Sequence, residues 1–286
     1  MRVSFLKTVF CIYLLLAFAA SPAVVLSAEI RSPDSDQLEN ILPLLAEYCS
    51  RFAEASLHYI CLEEIKETIY APLRHGNYSF RGTRDNNSYI YDYQLIYKDG
   101  QYKENRILLE ENGRETKEPD ATLKVKRSSY EYLITGPVGL FSDFWQPFYD
   151  YRIIKTTKFK GKKVFVIDVR PKAGVKHKYL YGKAWIDAED LSVQKIEYNQ
   201  GSIINIENIQ DSAEKIGLIP DITIVTEFAY EKNGIRFPSE CSITEDYFRK
   251  NPAGRFSSLK YHKSKLRITY SDYQFFTVET QVDIKK

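Results

Sequence analysis

The chain has 286 residues, with 40 Lys and Arg against 38 Asp and Glu. That near balance gives no electrostatic footprint for a nucleic-acid partner, and none is expected. With 22 Tyr, 16 Phe, one Met and 13 Gly, the composition favours long strands over helices.

Residues 1–28 read as a signal peptide. Arg2 and Lys7 form a basic start, Val9 to Ala20 is an apolar run, and small residues then offer cleavage after Ala23 or Ala28. An uncleaved anchor is the competing reading; Pro22 and the small residues after it favour cleavage. Cys11 follows Thr-Val-Phe rather than the small residues that a lipid-modified cysteine needs. No later segment approaches the ~20 apolar residues of a spanning helix. Losing Arg2 and Lys7 leaves 38 basic against 38 acidic residues, a neutral mature chain. Residues 29–286 hold no linker or repeat and are expected to form a single, exported, monomeric domain.

The next element is an amphipathic helix over residues 38–57. Leu38, Ile41, Leu42, Leu45, Cys49, Phe52 and Ala53 recur at spacings of three and four, opposite Glu39, Glu47, Arg51 and Glu54. Pro43 places its regular start near Asn40 or Ile41. Beyond the leader the cysteines are Cys49, Cys61 and Cys241. Export permits a Cys49–Cys61 disulfide, which would contribute roughly 2–3 kcal/mol; buried free thiols are the equal alternative. No Cys or His spacing suggests a metal, and no cofactor is expected.

Almost everything afterwards reads as strand. Strands fit residues 57–70, 89–98, 101–110, 151–160, 162–170, 179–187, 193–198, 202–210, 222–230, 235–247, 259–269 and 273–284. Asp99-Gly100 is a two-residue hairpin turn that sets Tyr97 against Tyr102, Tyr93 against Arg106 and Tyr91 against Leu108. One face of that hairpin is thus a row of tyrosines, with Arg106 able to lie over a ring. Asn112-Gly113 and Asn233-Gly234 are turns of the same kind, the second setting Tyr230 against Phe237. Residues 63–67 carry Glu63, Glu64 and Glu67 as strand charges expected to face solvent. The fold class is therefore α+β: an N-terminal helix on a large curled antiparallel sheet of about 11 strands in meander order.

Two segments break the strand rhythm or its polarity. Residues 136–149 gather Leu140, Phe141, Phe144, Trp145 and Phe148 between Gly and Pro residues. They read either as a lid over an apolar cavity or as a plug of ordinary core. The stretch 179–187 has no properly wet face: Tyr179, Tyr181 and Trp185 alternate with Leu180, Gly182, Ala184 and Ile186. Tyr91, Tyr93 and Trp185 join the five lid residues as candidate apolar lining. The basic run from Lys155 to Lys178 reads as a solvated edge that blocks aggregation, with an anionic membrane surface as the alternative partner.

Hydrolase, phosphate-loop and metalloprotease motifs are absent, and His58, His75, His177 and His262 share no ligand spacing. Asp187, Glu189 and Asp190 read as a polar turn rather than a calcium site. These absences favour a non-enzymatic protein.

The order of features resembles a known family. Tyr151-Arg-Ile-Ile, then Gly161-Lys-Lys-Val-Phe-Val-Ile-Asp-Val-Arg-Pro171, then Tyr181-Gly-Lys-Ala-Trp-Ile-Asp187 and Val193-Gln-Lys-Ile196 are similar to the LolA/LolB-like superfamily of periplasmic lipoprotein carriers and sorting proteins. The resemblance implies an incomplete β-barrel whose concave side, partly closed by helices, takes up acyl chains in the periplasm. The expected partner is then a lipid or an acylated lipoprotein. Two alternatives remain: an envelope interaction protein whose inner face is filled by its own side chains, and an enzyme without a recognisable motif.

Overall fold

The computed structural model describes residues 33–70, 83–99, 101–127, 133–175, 180–250 and 256–276. The expected leader, residues 1–28, lies outside them, as do His75, His177, Tyr179 and the end of the strand expected over 273–284. No helix among the described residues is long and apolar enough to cross a membrane.

The chain opens with helix α1 (Pro33–Ala55) and then runs through β1 (Tyr59–Tyr70), β2 (Thr83–Lys98), β3 (Gln101–Glu111) and β4 (Arg114–Glu118). Helix α2 (Gly136–Phe141) precedes β5 (Tyr149–Phe159), β6 (Lys162–Pro171), β7 (Gly182–Asp187) and β8 (Val193–Tyr198). Helix α3 (Ile206–Glu214) leads into β9 (Leu218–Glu227), the small hairpin β10 (Tyr230–Lys232) and β11 (Ile235–Phe237), then β12 (Glu240–Lys250) and β13 (Phe256–Phe275). Eleven strands form one antiparallel sheet, in the order β4-β3-β2-β1-β13-β12-β9-β8-β7-β6-β5. It is an open half-barrel.

Several expectations need correcting. Helix α1 starts at Pro33, so Pro43 lies inside it; the missing N–H removes one intrahelical bond, while Leu45, Tyr48, Cys49 and Phe52 anchor the helix by their full burial. Residues 202–210, expected as a strand, instead form a 3-10 turn and α3. Their isoleucines suit a strand, but Ile206, Ile209 and Ala213 follow the helical spacing, and Asn205 opens the helix in the left-handed region at φ 62°. The break expected between strands 259–269 and 273–284 is absent, and β13 runs unbroken as far as Phe275. Asp272 takes φ 52° where the pairing of β1 with β13 slips between Ile60 and Leu62, so it forms a bulge.

The order is also not a meander. The last strand, β13, inserts beside β1, which puts β4 and β5 at opposite edges of the sheet. The chain between them must therefore cross the inner face. Its path is pinned strand by strand: Ala121 N–H donates to the Arg106 carbonyl on β3 (2.9 Å), and Lys124 N–H to the Tyr91 hydroxyl on β2 (3.1 Å). Further on, Lys126 and Arg127 N–H donate to Glu67 Oε1 on β1 (3.0 and 2.9 Å), and Arg127 Nε reaches Glu245 on β12 (3.1 Å). Beyond the crossing, α2 packs over β8, where Gly136 lies so close to the Tyr198 hydroxyl that a Cβ would collide with it.

Both edges are charged, which blunts pairing with another chain. All five residues of β4 are exposed, and β5 presents Lys155 and Lys158 outward.

Candidate functional site

Period-two alternation decides which side chains meet the inner face. On β1 that row is Tyr59, Cys61, Glu63, Ile65 and Glu67, all buried. The expectation that Glu63 and Glu67 face solvent is overturned; Glu64, one residue out of phase, is the carboxylate that pairs outside with Lys66 at 2.6 Å. The apolar neighbours Cys61 and Ile65 on the same phase were the available signal.

These buried carboxylates are fully partnered. Arg106 grips Glu63 with two bonds, Nε to Oε2 at 2.6 Å and Nη2 to Oε1 at 3.1 Å, while its Nη1 reaches Glu104 at 3.0 Å. Tyr270 also donates to Glu63 (3.2 Å), and the guanidinium lies 5.0 Å from the Tyr93 ring centroid. Burial raises the Glu63 carboxyl above its ordinary range, against the pull of Arg106. Glu67 accepts the crossing segment's two N–H groups and the Asn87 amide (2.9 Å). Tyr91 and Tyr93 are both buried in the packed core among these partners.

The remaining candidates separate. Leu140 and Phe141 of α2 are fully buried in the main core, and Tyr151 donates to the Leu140 carbonyl at 2.6 Å. Phe144 and Phe148 stand 69% and 39% exposed, with Trp145 between them at 4.9 Å from the Phe144 ring. Within residues 136–149, Leu140 and Phe141 thus fill the core, where Pro137 and Tyr149 are buried as well, while Phe144 and Phe148 form an exposed aromatic tip. Trp185 is on the other side of the sheet. It pairs in register with Val166, with Lys195 Nζ 4.3 Å from its ring, while Ala184 and Ile186 face the core. Trp185 consequently does not line the interior. Gly182 supports the close packing there, since a Cβ would strike the Glu197 carbonyl and Tyr198 Cα of β8.

The disulfide is absent. Cys49, Cys61 and Cys241 are free and buried, and the Cys49 thiol donates instead to the Pro137 carbonyl at 3.2 Å. Burial pushes the Cys49 and Cys61 thiols upward and Cys241 up to about 12, so all three are unreactive thiols.

A cavity of about 630 Å3 opens at the other end of the inner face, under α3 and against the ends of β1, β2, β9, β12 and β13. Ile69, Ile209, Ile216, Leu218, Tyr247 and Tyr261 supply most of its apolar wall. At its rim, Glu245 accepts from Arg127, from Tyr247 (2.8 Å) and from Ser264 (3.2 Å), and pairs with Lys263 (3.1 Å). Burial opposes its ionisation, but Tyr247, Lys263 and Arg127 outweigh that and hold the carboxyl below its ordinary range. His262 also lines the cavity, its Nδ1 2.6 Å from Asp246 Oδ1. None of the cavity's apolar residues was singled out by sequence, because they come from five separated segments and one of these, α3, begins inside residues 202–210, which read as a strand.

No family model matches the chain, and no curated protein matches it. Solved structures do. A putative outer membrane lipoprotein-sorting protein domain from Vibrio parahaemolyticus superposes with a TM-score of 0.45 at 14% identity, covering 85% of this chain and 95% of that one. A LolA superfamily protein from Nitrosomonas europaea gives 0.38 at 10% identity over 83% of this chain and 94% of that one. A DUF1329 family protein from Desulfovibrio piger gives 0.39 at 11%, over 84% and 95%.

Proposed function

We propose that the protein is an exported, non-enzymatic binding module of the periplasm that takes an apolar ligand, a lipid or the acyl chain of a lipoprotein, into the cavity beneath α3. The observation that carries this reading is the cavity itself. Its 630 Å3 falls within the roughly 300–1,000 Å3 typical of ligand pockets, and an inner face filled entirely by its own side chains would leave far less. The half of the sheet near α1 and α2 is filled in that way, by Leu140, Phe141 and Phe52 among others; the α3 end is not. Each methylene buried there contributes ~0.8 kcal/mol, so a few carbons give useful affinity. The leader expected from sequence supports export, and the family resemblance implies the same ligand class.

Native mass spectrometry of protein purified from an envelope extract tests the proposal. A bound mass in the lipid range, released by organic solvent, is expected. A clean apo mass together with no uptake of a fluorescent fatty acid would sink it.

A further inference from the structure

The rim of the cavity carries more positive than negative charge, and the surplus is placed where the head of an amphiphile would lie. Arg84, Arg127 and Lys263 all line the cavity, with Glu245 as the carboxylate among them. Glu245 is 4% exposed and already engaged by Arg127, Lys263, Tyr247 and Ser264. It is a fixed internal counter-ion, shared by two cations whose side chains remain 36% and 41% exposed.

The surrounding charges do not cancel the surplus. Glu67 is turned toward the N–H groups of Lys126 and Arg127 and the Asn87 amide. Asp85 is taken by Lys126 at 3.4 Å, and Asp246 by Lys260 at 2.7 Å and by His262. Even with both Glu67 and Glu245 set against the three cations, one positive charge is left. Arg84 makes no ion pair among the described residues, and its side chain is exposed at the cavity. A guanidinium forks naturally onto a carboxylate or phosphate.

We propose that Arg84, Lys263 and Arg127 form a head-group site for one anionic group, so that the ligand is an anionic amphiphile whose tail lies along Ile209, Ile216 and Leu218. The inference rests on the apolar-cavity reading and narrows it: a neutral lipid of the same tail length binds poorly. Carboxylate and phosphate share this chemistry, and the two sources of such ligands are free fatty acids and phosphate-bearing lipids.

Calorimetric titration of the whole exported chain with tetradecanoate, tetradecyl phosphate and tetradecanol tests it. At least one anion should bind ~10-fold more tightly than the alcohol, the scale of one charged hydrogen-bonding group. The better anion names the source. Arg84→Gln, which leaves the Glu245 network intact, should remove several-fold of that preference, and Arg84→Gln with Lys263→Gln should abolish it, with alcohol affinity unchanged in both. Equal binding of alcohol and anions, or a preference that survives the double substitution, would overturn the head-group site while leaving the apolar cavity standing. Binding of none of the three would remove both together.

Discussion

Replacing Arg106 by Met tests how the inner face tolerates charge. Glu63 is fully buried, and Arg106 is the cation that meets it, through bonds of 2.6 and 3.1 Å. Taking away one partner of such a pair costs about 3–5 kcal/mol, because the other charge stays buried without compensation. The loss must depend on pH. Burial already raises the Glu63 carboxyl in the folded state, and without Arg106 the rise is larger. A folded-state pKa above the unfolded one gives stability that is complete below the unfolded value of about 4.3 and is lost as pH climbs through the folded value. Arg106→Met should therefore be more destabilised at pH 8 than at pH 5. Pairing it with Glu63→Gln removes the stranded charge and should recover roughly half of the loss at pH 8, since the hydrogen bonds are still missing. Urea denaturation followed by Trp145 and Trp185 fluorescence gives each value, with an unchanged slope as the check on two-state behaviour. A single variant within 1 kcal/mol of wild type, or one insensitive to pH, would refute the buried pairing.

Three further outcomes follow from the packing. Gly182→Ala forces a Cβ against the Glu197 carbonyl and should cost about 1–3 kcal/mol in the same denaturation assay. Phe141→Ala, in the core, should cost about 3–5 kcal/mol, whereas Phe144→Ala at a site 69% exposed should stay within about 0.5 kcal/mol. Thiol titration should find Cys49, Cys61 and Cys241 unreactive in the native protein and free in denaturant, and a reductant should leave the melting temperature unchanged.

The parts of the fold that were legible in sequence are those fixed by neighbours in the chain. Asp99-Gly100 fixes a hairpin register, and the pairs Tyr97–Tyr102, Tyr93–Arg106 and Tyr91–Leu108 form as the turn dictates. Tyr230 meets Phe237 for the same reason, and the lysines of 155–158 sit on an edge strand. What failed depends on distant partners. Nothing local to Tyr59–Tyr70 says that β13 will pair with it, and that pairing alone sends the chain across the inner face between β4 and β5. The crossing then explains Glu67 and Glu245, carboxylates that look misplaced on apolar strand faces until the N–H groups and Arg127 above them are known. The cavity was not legible for a related reason. Aromatic density drew attention to residues 136–149, but dense aromatic side chains fill space. The cavity lies where short polar and aliphatic residues of α3 leave it open.

Ser212 lines that cavity and is exposed, so Ser212→Trp can fill it without disturbing the buried core. The decisive measurement is titration of a fluorescent fatty acid into wild type and Ser212→Trp, with melting temperatures checked alongside. Wild type should bind one equivalent, and the variant should bind at least ~10-fold more weakly, because about two buried methylenes lost amount to that factor. A Ser212→Trp protein that folds normally and binds the fatty acid as tightly as wild type would contradict the cavity beneath α3 as the ligand site.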